Sequence, residues 1–78
     1  DSLLSIDNVV ASFAICRIDN SICISARSSG TVNVQLILER LNGGGHYNSA
    51  ATQMPDITIE EALVKLKESI DIALDGEN

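Results

Sequence analysis

The chain has 78 residues, the size of one small domain, and 45% of them are hydrophobic. Its formal net charge is −6 with only five basic residues, which argues against extended coating of nucleic acid because counterion release needs clustered cations. It has neither a signal-peptide pattern nor an apolar run long enough to cross a bilayer, so we expect no direct membrane contact from this segment.

The first predicted elements are two β-strands joined as a hairpin. Residues 9–18 and 21–26 are rich in strand-forming residues, and Asp19-Asn20 favours a tight turn between them. A two-residue turn places Cys16 opposite Cys23. The same register predicts one apolar face and one polar face, the first with Phe13, Ile15, Ile24 and Ala26 and the second with Cys23, Ser25 and Arg27.

The two cysteines permit more than one interpretation. A cross-strand disulfide is geometrically conceivable between Cys16 and Cys23, but a chain without a secretion signal favours reduced, structural thiols. Two cysteines and one histidine fall short of the four ligands of a structural zinc site.

The next pattern predicts a short amphipathic helix. Its apolar residues follow the i, i+3, i+4, i+7 rule, at Val34, Ile37, Leu38 and Leu41. Asn33 or Thr31 can cap its start, and Asn42-Gly43 is expected to end it because both residues tolerate the left-handed conformation.

A second helix is more strongly marked. It follows the break at Pro55-Asp56, and Thr58 with Glu61 forms a capping box. An apolar stripe then runs through Ile59, Leu63, Leu66, Ile70 and Ala73. With a short strand over residues 50–54, the prediction is an α/β fold: a small mixed sheet with an antiparallel hairpin, order β-β-α-β-α, and two helices packed on the sheet.

The glycine run before His46 is the main candidate site. Gly43, Gly44 and Gly45 let the backbone approach a ligand closely, and the histidine adds a hydrogen-bond donor. No Lys-Ser/Thr pair follows, so it is not a P-loop, and it follows a helix rather than a strand, unlike a Rossmann fingerprint. The pattern favours an anion site for a phosphate; the alternative is a helix C-cap followed by a flexible turn.

A second candidate lies at the end of the hairpin, in residues 25–30. Arg27 matches the geometry of a phosphate bidentately, and the segment adds hydroxyls and a glycine. The alternative for Arg27 is an ordinary solvated edge residue.

These two segments together resemble a known family. Residues 25–28 with 33–35, and residues 41–53, are similar to the DHH-associated C-terminal domain of DHH-type phosphoesterases. The residues of these motifs are most similar to those of the membrane-anchored cyclic-di-AMP phosphodiesterases of Gram-positive bacteria, and the resemblance covers nearly the whole chain. Such proteins usually carry four glycines before the histidine; Asn42 replaces the first here, and we expect only a small effect.

The resemblance implies a division of labour. A separate, preceding DHH domain, absent from this chain, would carry two Mn²⁺ ions and the catalytic groups, while this domain would hold the substrate. Arg27 and His46 would contact a phosphate, Gly43, Gly44 and Gly45 would line it, and Ser28 and Asn33 would add hydrogen bonds. The chain alone is then expected to hold no cofactor or metal and to have no catalytic residue.

Residues 1–78 are therefore interpreted as one substrate-binding domain. Because the chain begins at Asp1 without a methionine, we expect a fragment of a longer protein, with a processed small protein as the alternative. The expected parent is a phosphodiesterase in bacterial signalling that opens cyclic-di-AMP to a linear product, with this domain in the cytoplasm. The alternatives are a DHH-type exonuclease or nano-oligoribonuclease acting on short nucleic acids, and a non-catalytic nucleotide-binding module.

Overall fold

The computed structural model describes residues 2–6, 10–29 and 32–75 of the chain. In chain order the elements are β1 (Ser2–Ile6), β2 (Ala11–Ile18), β3 (Ser21–Ser28), α1 (Val34–Glu39), β4 (Gly44–His46), β5 (Ser49–Pro55) and α2 (Ile59–Asp75).

The strands form one sheet in the order β1-β2-β3-β5-β4. The predicted α/β class, the hairpin and the two helices are confirmed. Two strands were not predicted: β1, which pairs with β2, and β4, which starts within the glycine run, ends at His46 and pairs with β5. The expectation of a mixed sheet was wrong, since every pairing among the described strands is antiparallel. Tight connections join β2 to β3 and β4 to β5, and such connections can only join antiparallel neighbours.

The β2–β3 hairpin has the predicted register. Cys16 lies opposite Cys23, and the turn between the strands contains Asp19 in the left-handed region, with φ of 54°. Two of the expected apolar pairs are also confirmed, Phe13 with Ala26 and Ile15 with Ile24. The strand β3 continues to Ser28, two residues beyond the predicted end, because its last residues pair with β2 and β5.

Among the described residues, the core lies on one face of the sheet. Alternate residues of β2 and β3 are buried there against both helices, and the largest buried side chains are Phe13, Ile15, Ile22, Ile24, Ile37, Leu38 and Leu66. The intervening residues of the same strands face the other way and are exposed or half-buried. In the described part of the chain, both helices pack on the core side, so the second face, here called the open face, has no helix over it.

The ends of α1 are fixed by hydrogen bonds that the sequence indicated. At the start, the Asn33 side chain accepts from the Leu36 N–H at 3.3 Å, whereas Thr31, the other candidate cap, lies outside the described residues. At the end, the N–H groups of Asn42 and Gly43 donate to the carbonyls of Glu39 and Leu38. These two bonds form a Schellman motif, with Asn42 in the left-handed position at φ 66°.

The helix α2 begins with the predicted capping box. Thr58 N–H donates to a Glu61 carboxylate oxygen at 2.9 Å, and Glu61 N–H donates to the Thr58 hydroxyl at 3.0 Å.

Two buried hydroxyls join the layers: Thr52 donates to the Leu41 carbonyl at 2.7 Å, and Ser69 donates to the Ile37 carbonyl at 2.6 Å. These two bonds link the C-terminal end of α1 to β5 and the middle of α1 to α2, in addition to the packing of α1 on the core.

Candidate functional site

Four polar residues form a cross-strand row on the open face. Ser12 of β2 pairs with Arg27 of β3, Arg27 pairs with Ser49 of β5, and Ser49 pairs with His46 of β4. Directly paired residues of a sheet point to the same side, so all four side chains share the open face. Arg27 and His46 are exposed, and the two serines are half-buried. We call this set the polar row.

The spacing of the polar row suits a group the size of a phosphate. Arg27 and His46 are two strands apart, and adjacent strands are about 4.8 Å apart, so their backbones are separated by roughly 10 Å. Ser49 lies between them. A tetrahedral anion above Ser49 is within reach of the guanidinium from one side and of the imidazole from the other, with the serine hydroxyl beneath it.

A second row, two residues along each strand, is made of small residues. Ala14, Ser25, Ala51 and Gly44 are paired in that order across the sheet. None has a side chain longer than a hydroxymethyl group, so this part of the open face is a low floor beside the polar row. A flat ligand group can therefore approach the backbone next to Arg27 and His46.

The three glycines of residues 43–45 are required for different reasons. A Cβ on Gly43 would collide with the Ala51 carbonyl oxygen and lie 2.5 Å from Thr52 Cβ. Gly45 has φ of 146°, and a Cβ there would lie 2.5 Å from the Ser49 carbonyl oxygen. Gly44 differs from both, because a Cβ there would meet no atom within 4 Å. Packing of β4 on β5 thus explains two glycines, and the third leaves the floor of the open face bare.

The structure separates two predicted residues from this face. Ser28 follows Arg27 on β3, so its side chain points to the opposite side of the sheet, and its N–H donates to the Asn48 carbonyl. Ser28 still borders a shallow depression of about 340 Å³ at the sheet end, shared with Ser12, Arg27 and Ser49. Asn33 lies near the β4–β5 turn, because Val34 N–H donates to the Tyr47 carbonyl, but its side-chain oxygen is used in the cap of α1.

Two members of the polar row were missed by sequence reasoning. The predicted strand over residues 50–54 begins just after Ser49, and Ser12 falls within the predicted strand over residues 9–18, without a site role for either serine. A signal was available for Ser49, since the two residues between His46 and Ser49 have the length of a hairpin turn. No local signal places Ser12 beside Arg27 and Ser49 at once, because that requires the order of strands in the sheet.

The charge on the open face is opposite in sign to the net charge of the chain. Its described side chains, on β2 to β5, include Arg27 and His46 and no carboxylate, although the chain has eleven acidic residues and a net charge of −6. The acidic residues of the described part lie in turns and on the two helices. This distribution favours an anionic ligand on the open face despite the unfavourable net charge.

Within residues 10–29 and 32–75, no three His, Cys, Asp or Glu side chains are grouped so that they could hold a metal ion. The same ranges contain no helix that is long and apolar enough to cross a membrane.

Comparison with known proteins identifies the family. The sequence model of the DHHA1 domain matches residues 1–73. The chain belongs to the DHHA1 domain family. The resemblance to the DHH-associated domain drawn from the two motifs is thereby confirmed, and the polar row and glycine run are features of a DHHA1 domain.

Relatives of this DHHA1 domain are found in much longer proteins. It is 56% identical over 77 residues to the cyclic-di-AMP phosphodiesterase GdpP of Bacillus subtilis (strain 168), covering 97% of this chain and 12% of the relative. It is 53% identical over 78 residues to the cyclic-di-AMP phosphodiesterase PdeA of Listeria monocytogenes serotype 1/2a, covering 99% and 12%. A membrane protein–large ribosomal subunit bL9 fusion protein of Aster yellows witches'-broom phytoplasma is 52% identical over 68 residues, covering 86% and 8%. The chain thus spans about an eighth of the phosphodiesterases that it matches.

Proposed function

We propose that this DHHA1 domain holds the substrate of a phosphodiesterase that hydrolyses cyclic-di-AMP to a linear dinucleotide. Two relatives with more than half of their aligned residues identical bear the name of that activity. The observation that carries the proposal is the polar row, in which Arg27 and His46 flank Ser49 on a face whose described side chains, on β2 to β5, include no carboxylate.

The role of each residue follows from its chemistry. Arg27 donates two parallel N–H bonds to the oxygens of one phosphate, which fixes its orientation as well as its position. His46 donates from its ring to the same group, and the backbone of Gly43, Gly44 and Gly45 lines the adjoining surface. Ser28 and Asn33, which the sequence suggested as further hydrogen-bonding residues, are not assigned to this phosphate, because the Ser28 side chain points to the opposite side of the sheet and the Asn33 side-chain oxygen caps α1. Holding the phosphate in one orientation favours in-line attack, because the entropy of alignment is lost on binding rather than in the reaction.

The catalytic groups are proposed to lie elsewhere in the parent protein. Two Mn²⁺ ions in a DHH domain would generate the nucleophile and stabilise charge at phosphorus. The described residues of this chain offer no cluster to hold these ions, so no step of the metal chemistry is assigned to them. The DHH domain of the same parent is the expected protein partner, and the parent is expected to be a bacterial signalling enzyme anchored in the membrane with this domain in the cytoplasm.

A titration of the 78-residue chain tests the proposal. Cyclic-di-AMP is added while the backbone amide resonances of Gly44, His46 and Ser49 are followed by NMR, with Asp19 at the far turn as the internal reference. We expect shifts at the first three that saturate at millimolar ligand, since half of the pocket is proposed to lie on the missing domain. If these amides do not respond, or respond no more than Asp19, the assignment of the site is wrong.

The same titration separates the proposal from its alternatives. A short linear oligonucleotide replaces cyclic-di-AMP in a second series. Equal or stronger response to the linear ligand would favour an exonuclease or nano-oligoribonuclease. Binding of cyclic-di-AMP by the domain, combined with no hydrolysis by the full parent protein, would favour a non-catalytic nucleotide-binding module.

A further inference from the structure

The open face carries a pair of thiols that the proposed function does not use. Cys16 and Cys23 are directly paired across β2 and β3, and both are free and half-buried. They form the next row beyond Ala14 and Ser25, on the side away from Arg27. Gln53 of β5 lies beside Cys23. The pairing of β1 with β2 reaches Ile15, so no described residue of β1 lies opposite Cys16.

The register brings the two thiols within bonding range. Opposed residues of an antiparallel pair have Cα atoms about 4.5 Å or about 5.5 Å apart, depending on the hydrogen-bond pattern. Both separations fall within the range of about 4.4 to 6.8 Å found across disulfides. Two half-buried thiols at opposed positions also remain accessible to a small disulfide from solvent.

We propose that Cys16 and Cys23 are a redox-active pair that closes a reversible cross-strand disulfide on the open face. The oxidant is a small-molecule disulfide of the glutathione class. One cysteine thiolate attacks a sulfur of the oxidant, forming a mixed disulfide and releasing one glutathione thiolate. The opposed thiolate then attacks the cysteine sulfur, closing the protein disulfide and releasing the second glutathione. Two electrons pass from the protein to the oxidant, and both glutathione molecules leave reduced.

The position of the pair makes the bond labile. Only the six residues 17–22 lie between Cys16 and Cys23, so the bridge closes a short loop and constrains the unfolded chain less than a bridge across a long loop would. A half-exposed disulfide of low stabilising effect is readily reduced, unlike a buried structural one. The pair is therefore reduced in a reducing compartment and closes when the ratio of oxidised to reduced glutathione rises.

Mass spectrometry of the intact chain tests this proposal. The reduced chain is incubated with oxidised glutathione and quenched with acid. We expect the wild type to lose the mass of two hydrogens without a retained adduct, to remain monomeric, and to regain the thiols with dithiothreitol. NMR supports the assignment if the Cβ resonances of both cysteines move to the positions typical of disulfides.

Single variants provide the matched controls. Cys16→Ser and Cys23→Ser each keep one thiol that cannot close an internal bridge, so each should retain a glutathione adduct under the same conditions. Accumulation of one or two stable adducts on the wild type, formation of a disulfide-linked dimer, or a chain that stays reduced would each overturn the proposal. These outcomes are independent of whether the domain binds a nucleotide.

Discussion

Arg27 and His46 lie in one cross-strand row on the open face of the sheet, with Ser49 of β5 between them. The two residues are 19 positions apart in the sequence and come together only because β5 inserts between β3 and β4. This arrangement turns two separate motifs into a single surface with cationic and hydrogen-bonding groups around a central hydroxyl.

The glycines of the run are expected to respond differently to substitution. Gly43→Ala should lower the free energy of unfolding by about 1–3 kcal/mol, because the new methyl group collides with β5. Gly44→Ala has open space and should change stability by less than about 1 kcal/mol. It should nevertheless weaken binding of cyclic-di-AMP, because the methyl group rises from the floor beside the polar row.

Urea unfolding and the NMR titration, applied to both variants, measure these effects separately. Retained stability together with wild-type binding in Gly44→Ala would show that the bare floor at Gly44 is not used by the ligand.

Asn42 is expected to be a tolerated substitute for glycine at the end of α1. Its φ of 66° lies in the left-handed region, where asparagine is accepted more readily than other side chains. Asn42→Ala should therefore destabilise the domain by about 1 kcal/mol, and Asn42→Gly should be neutral or slightly stabilising. Thermal unfolding of the two variants measures both effects, and an alanine variant as stable as the wild type would argue against this conformation.

The buried hydroxyl of Thr52 is expected to stabilise the contact between α1 and β5. Thr52→Val keeps the shape but removes the donor to the Leu41 carbonyl, so the free energy of unfolding should fall by about 1–3 kcal/mol. Thr52→Ser keeps the donor and serves as the matched control. Urea unfolding should place the valine variant below the serine variant, and the reverse order would show that packing of the methyl group matters more than the hydrogen bond.

The capping box of α2 predicts a pH dependence of stability. The pKa of Glu61 is lowered mainly by the hydrogen bond from the Thr58 backbone N–H and next by a hydrogen bond with the Thr58 side chain. The charge of Lys65 lowers this pKa by a smaller amount. A carboxylate with a lowered folded-state pKa stabilises the fold above its unfolded-state pKa. That stabilisation is lost as the pH falls through the lowered folded-state pKa. Stability should thus decline on the acid side of the usual glutamate range.

Two variants isolate this effect. Glu61→Gln should flatten the acid limb of the stability profile, whereas Glu60→Gln, which changes a neighbouring carboxylate outside the capping box, should preserve it. Thr58→Ala removes the cap and should cost about 1 kcal/mol near neutral pH. Thermal unfolding from acid to neutral pH gives the profiles; an unchanged acid limb in Glu61→Gln would contradict the assignment.

Local patterns predicted much of the fold. The hairpin register followed from the turn at Asp19-Asn20 and the alternation around it, and the start of α2 followed from the spacing of Thr58 and Glu61. The strand β4 was missed because glycines carry no side-chain alternation, and its pairing with β5 depends on backbone groups alone. The fully antiparallel pairing of the sheet was missed for a related reason, because it depends on which strands β5 pairs with and in which direction it runs.

The candidate site was predictable only in parts. Arg27 and His46 were each marked by residue type and by glycines nearby, but their common row depends on the order β3-β5-β4, which no local window contains. Ser12 was missed for the same reason, whereas the two-residue spacing from His46 could have indicated Ser49 as its hairpin partner. Conversely, residue type alone could not reveal that Ser28 points to the opposite side of the sheet from Arg27, although strict alternation along β3 requires it.

A charge-matched comparison tests most directly whether Arg27 holds a phosphate of cyclic-di-AMP on the open face, as proposed. Arg17, at the other end of β2 and on the opposite side of the sheet, provides the control. The dissociation constant of cyclic-di-AMP, measured by NMR titration at fixed ionic strength, should rise at least about tenfold in Arg27→Ala, given the strength of a charged hydrogen-bonded pair, and stay near the wild-type value in Arg17→Ala. Equal weakening in both variants would mean that only net charge matters, and unchanged binding in Arg27→Ala would contradict the proposed site.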